Sequence, residues 1–195
     1  VSAQELKDCM RDQYQGTPLD ITQGPDAGPW NSKLRYGSLG FQYDSVQYWF
    51  ERPIATQQTG WSMVAQMRGY EGAHAGGILW FGVDDAATSL YVPMYSTITA
   101  VPECVQEGNG DLYTYSPTSA WWTYNIVANW AYSKYSAMLP DIQKVQTAWE
   151  DKFNAQVEVV DKAVAELNAA DKAAWLTKYS CMQAQESTAA WKELG

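Results

Sequence analysis

From Ile142 to Leu167 the sequence keeps to one rhythm. Ile142, Val145, Trp149, Phe153, Val157, Val160, Val164 and Leu167 recur every three or four positions, with Lys and Glu opposite. At 3.6 residues per turn this is one apolar face of a long helix, and such a helix needs another layer to lie against. Asn168 and Asp171 then read as the cap of a further helix that carries Trp175, Tyr179 and Met182 on one face and Trp191 near its end. The pair predicts an antiparallel helical hairpin over residues 139–195, opened by Pro140 and closed by a short turn.

The preceding residues, 1–138, predict a different kind of structure. Ser2 and Glu5 have the spacing of a capping box, and Leu6, Cys9 and Met10 follow at helical intervals, so a helix is expected over 3–15, with Cys9 on its apolar side and Gly16 as its stop. A Pro- and Gly-rich stretch reaching to Ser38 reads as a long connecting loop. Between Ser45 and Thr99, β-branched and aromatic runs predict three antiparallel strands: IATQQTGWSMVAQMR, GGILWFGV and SLYVPMYSTIT. Both faces of SMVAQMR are semi-apolar, as in a sheet covered on its two sides. Ser116-Pro117 then reads as the start of an aromatic helix containing Trp121, Tyr124, Val127 and Ala131. Together these elements predict an α+β fold.

Charge and composition narrow the function. With 13 basic against 22 acidic residues the net charge is −9, a field that repels a phosphate backbone. No run of about 18 apolar residues is long enough to span a membrane. Neither nucleic acid nor a membrane is expected as a partner. Three cysteines without C-x-x-C spacing and one histidine predict no structural metal, and the odd count argues against a disulfide framework while leaving room for one bridge and one free thiol. The opening VSAQELKD has no initiator Met and no signal-like apolar run, and reads as a cut start. The set of 10 Trp and 13 Tyr against 4 Phe fits buried bulk, or alternatively a groove for peptide or glycan.

Four segments in series resemble peptidase family C69, the PepD-type dipeptidases. They are MRDQYQGTPLDITQGPDAGPWNSKLRY, ERPIATQQTGWSMVAQMRG, GGILWFGVDDAATSLYVPMYSTITAVP and SAWWTYNIVANWAYSKYSAMLPDIQKVQ. They cover roughly residues 9–146, and the hairpin fits by character more than by motif. The resemblance implies the antiparallel sheet portion of an αββα N-terminal-nucleophile hydrolase sandwich, followed by the helical hairpin. It also implies a chemistry in which the leading Cys of the mature protein attacks the peptide carbonyl while its own α-amine acts as base. It calls for no cofactor. Val1 carries neither thiol nor hydroxyl, so the nucleophile is expected from an upstream portion of the same protein, with a dipeptide as substrate and this portion inactive alone. The compartment stays open between cytoplasm and export, with export favoured, and homo-oligomers are an open possibility.

No catalytic residue is therefore expected in this chain. Cys9 reads as a small hydrophobe in a helix, Cys104 stands beside Glu103 and Glu107, Cys181 is remote from the motifs, and His74 in GYEGAHAGG reads as a solvated turn residue. The candidates for holding substrate or stabilising an oxyanion are Arg35 after the Pro/Gly-rich loop, Arg68 at the end of a strand, Asn125 in the aromatic helix and Thr59 in the polar run Thr56–Thr59. Each has a plainer reading: a surface Arg, a local ion pair, a satisfied backbone group and ordinary turn chemistry. Two other functions compete with the peptidase: a non-catalytic module reading peptide or glycan through its Trp/Tyr surface, and an interaction piece whose hairpin pairs with another subunit.

Overall fold

A computed structural model describes residues 1–34, 40–49, 52–70 and 72–195. It is α+β, with four helices and two small antiparallel sheets. Helix α1 is Ala3–Met10, and the capping box is made as the sequence predicts, with Ser2 accepting from the Glu5 amide and Glu5 accepting from the Ser2 amide. The helix stops well before Gly16. Asp12 accepts from the Tyr14 amide at 2.7 Å and Tyr14 turns left-handed at φ 62°, so side-chain capping of the backbone ends the helix early. Cys9 is exposed, not on the apolar side.

A hairpin of two short strands, β1 (Gly40–Tyr43) and β2 (Val46–Trp49), was not foreseen. Its turn residues Asp44 and Ser45 both take left-handed conformations, at φ 47° and 64°. That geometry matches the twist of paired strands, but the usual glycine signal is missing. The three foreseen strands are β3 (Trp61–Gln66), β4 (Ile78–Val83) and β5 (Val92–Tyr95), paired antiparallel in that order.

Register decides how this sheet is used. Val64 pairs with Trp80, and Gln66 with Ile78, placing Ser62, Val64, Ile78, Trp80 and Tyr95 on one face, where all five are buried. Helix α1 lies on that face, with Lys7 Nζ 3.5 Å from the centre of the Trp80 ring. The other face carries Trp61, Met63, Phe81, Val92 and Met94. Helices α2 (Ala120–Ser133) and α4 (Ala169–Lys192) cover it over β5, where Val92 and Met94 meet Tyr124 and Ala184 around a small void. Over β3 it is open: Trp61 is 59% and Met63 47% exposed. The expectation of a sheet covered on both sides thus holds over β5 and fails over β3.

The aromatic helix α2 begins at Ala120, not after Ser116, because Ser116 Oγ donates to Asn109 Oδ1 at 2.5 Å and the chain continues as a turn to Ser119. The long helix α3 is Tyr135–Val164, so Pro140 lies inside it instead of opening it, and the boundary expected between 138 and 139 falls within this helix. The break comes at Lys134, whose φ of −145° and ψ of 54° separate α2 from α3, and the Ser136 amide is held by the Trp30 carbonyl at 2.9 Å. Ile142, Phe153, Val160 and Val164 of the stripe are buried. Asn168 caps α4 by accepting from the Asp171 amide at 3.0 Å, which completes the hairpin. Among the described residues no helix is long and apolar enough to cross a membrane.

Candidate active site

Strand β4 is followed by two acidic residues, Asp84 and Asp85, and the polar groups of three other segments converge on them. Asp85 is fully buried and well served. It takes Lys33 Nζ at 2.5 Å, Tyr132 Oη at 2.9 Å, Thr88 Oγ1 at 3.1 Å and the Ala87 amide at 3.2 Å. Lys33 also donates to the Ala55 carbonyl at 3.1 Å, which stitches the loop before β1 to the segment before β3. Burial pulls the Lys33 ammonium below the usual lysine range while Asp85 works against that, and burial followed by the Asp85 charge pushes the Tyr132 hydroxyl upward.

Asp84 is only 4% exposed and sits at φ 63°, a conformation that costs a non-glycine residue free energy and that clusters at functional sites. Its amide donates to the Gly60 carbonyl at 2.8 Å, pinning the end of β4 to the start of β3. Its side chain accepts from Asn125 Nδ2 at 2.9 Å. Burial raises this carboxyl to about 6, against the lowering effect of the Asn125 hydrogen bond. Asn129, one turn along α2, donates to the Asn125 carbonyl at 2.8 Å and carries the polar track to the surface.

Of the residues proposed from sequence, the structure brings Asn125 into this cluster and Thr59 next to it through Gly60. Thr59 itself does ordinary turn work, its hydroxyl donating to the Thr56 carbonyl at 2.8 Å. Arg68 lies at the other end of β3, where it pairs with Asp161 of α3 and donates to the Gly76 carbonyl at 3.0 Å and to Tyr70 Oη at 3.2 Å. Asp161 in turn accepts from the Ala75 amide at 2.8 Å, so this group ties the β3–β4 connection to α3. Arg35 lies outside the described residues. Lys33, Asp84, Asp85 and Tyr132 were missed. The only signal for them was a pair of carboxylates ending an apolar run, GVDDAA, and nothing local says that a lysine fifty residues upstream returns to meet it.

The three thiols are placed unequally. Cys104 is buried, and burial raises it; Cys181 is half-buried, and burial raises it too. Exposed Cys9 lines a cleft of about 600 Å³ between α1 and α3. Its neighbours there include Asp8, Asp12, Asp151 and Gln143, together with Arg11, whose guanidinium grips Glu150 at 2.5 and 3.0 Å. Burial on its own would raise Glu150, but Arg11 holds it below the usual carboxylate range. A thiol nucleophile works best beside a cation, and among the described residues the cation that lines this cleft with Cys9 is Arg11, which is committed to Glu150. His74 is far along the chain, on the connection to β4, where its carbonyl accepts from Lys172 Nζ at 2.9 Å.

No curated protein matches this chain. A family model does match, that of peptidase family C69, over residues 1–148. The matched stretch takes in α1, both sheets, the Asp84/Asp85 cluster, α2 and the first part of α3. Because the match runs through 148 of the 195 residues, the chain belongs to peptidase family C69.

Proposed function

We propose that this chain is the portion of a cysteine dipeptidase that follows its nucleophile, and that it positions a dipeptide without attacking it. The leading Cys of an upstream segment supplies the thiol, with its α-amine as base. The observation that supports this reading is the family match combined with the state of the three thiols: Cys104 is buried, Cys181 is half-buried, and Cys9 shares its cleft with carboxylates and with an Arg11 already committed to Glu150. The open face at Trp61 and Met63 supports it further, since a second sheet laid there would complete a sandwich and bring the missing segment against the end of β4. The test is a comparison of two proteins on an unmodified dipeptide. The full chain with its leading Cys is expected to hydrolyse it, and the 195 residues alone are expected to show no turnover at any pH. Turnover by the purified 195 residues would refute the reading.

One observation favours a second reading. The β1–β2 hairpin holds Phe41, Tyr43, Tyr48 and Trp49 exposed, with the Phe41 and Tyr48 rings stacked at 5.2 Å. Such a surface suits a non-catalytic peptide- or glycan-binding module. If that is its function, saturable binding of peptide or glycan to the isolated chain will be lost in Trp49→Ala while the full chain stays inactive.

A further inference from the structure

Asp84 and Asp85 share one buried cluster, and among the described residues Lys33 is in ion-pair contact with Asp85 but not with Asp84. Lys33 is bonded to Asp85, and none of the ion pairs among the described residues involves Asp84. The groups that face Asp84 are the Asn125 amide from α2, the backbone amide of Asp85, and the Asp85 and Lys33 charges. Among the described residues one lysine stands against two carboxylates, an excess of one negative charge. Buried charges are normally paired, so a carboxylate held here at a left-handed backbone position, with no ion pair of its own among the described residues, is set up for a positive charge that arrives from outside.

The surroundings indicate what brings that charge. Gly60 ties Asp84 to the head of β3, whose next residue is the exposed Trp61, stacked 6.2 Å from Phe81 on the open apolar face. On the other side the half-buried Asn125 and exposed Asn129 lead to solvent. A ligand with a cationic end and an apolar body fits this juxtaposition, and an anionic end does not. We propose that Asp84 anchors the free α-ammonium of the dipeptide, with Asn125 fixing the direction of its carboxylate. This rests on the dipeptidase reading and adds a reason why a substrate must have a free amino terminus. A buried carboxylate separates an ammonium from an acetamide far better than an apolar pocket separates two shapes.

The experiment uses the full chain with its nucleophile and compares a free dipeptide with its N-acetylated form. In the wild type the free dipeptide is expected to be favoured by about 10- to 100-fold in kcat/KM, the range of a hydrogen-bonded charge. In Asp84→Asn this preference should collapse towards unity, with the loss on the free dipeptide carried by KM. A preserved preference in Asp84→Asn, or an equal loss on both substrates, overturns the proposal, the equal loss being the result if Asp84 instead holds the enzyme's own terminal amine. The wild type gives an arm that does not depend on the variant folding. Its preference should shrink as pH falls through about 6, where Asp84 takes up a proton, and a preference that is flat across that range also overturns the assignment. A wild type inactive on every dipeptide refutes the peptidase reading itself, which distinguishes that failure from a failure of the anchor.

Discussion

Asp84 costs the fold something that can be measured without substrate. Its carboxyl is raised in the folded state from 3.8 to about 6. Between these values the folded chain holds a proton that the unfolded chain releases, so stability falls as pH rises through the window and the deficit persists above it. Asp84→Asn removes the charge and keeps an acceptor for Asn125. It should therefore stabilise the protein at pH 7 by up to roughly 3 kcal/mol, with the gain vanishing below pH 4, as read by urea unfolding at the two pH values. Asn125→Ala should do the opposite, because it strips from a buried carboxylate its side-chain hydrogen-bond partner among the described residues. Arg68 behaves differently again. Arg68→Ala leaves Asp161 buried and unpaired and should cost about 3–5 kcal/mol, while a loss under about 1 kcal/mol would show the pair to be incidental. At this scale the sequence offered Asn125 and Arg68 as candidates for holding substrate or an oxyanion, and the structure sets Asn125 against Asp84 and Arg68 against Asp161. The sequence could not name these partners, because Asp84 and Asp161 reach them only through the packing of α2 and α3.

Elements were legible where their signals are local. The capping box of α1, the Asn168 cap and the stripe of α3 depend on residues three or four apart, and all three are made. Boundaries failed where a local signal was overridden by something distant or by competing turn chemistry. Pro140 looked like a helix start, yet α3 begins five residues earlier because the Ser136 amide finds the Trp30 carbonyl and Tyr135 is buried against the core. The helix tolerates the proline at the loss of one backbone hydrogen bond. Pro140→Ala should then raise stability by about 1 kcal/mol, the gain in helix propensity exceeding the lost rigidity of the unfolded chain. A fall in the thermal midpoint would mean that Pro140 is needed where it stands. The β1–β2 hairpin went unread for a related reason, since Asp44 and Ser45 adopt left-handed turns without the glycine that usually announces them.

At the scale of the molecule, one face of the β3–β4–β5 sheet is buried apart from the half-buried Gln66, while the other is closed over β5 and open over β3. An exposed apolar sheet face beside an unpaired edge strand is a surface for association. The 195 residues should self-associate as concentration rises, and Met63→Lys together with Trp61→Lys should suppress this; light scattering that shows a monomer at high concentration would speak against it. The α+β class and the family were readable from four segments in order, but this asymmetry was not, because alternation along β3 looks the same whether or not a layer covers it. The most direct measurement replaces Cys9, Cys104 and Cys181 together by Ser in the full chain and follows dipeptide hydrolysis. If the thiol that attacks lies outside these residues, turnover persists and remains sensitive to a thiol alkylating agent. If turnover disappears and returns when Cys9 alone is restored, the attacking thiol sits in the cleft between α1 and α3, and an upstream nucleophile is ruled out.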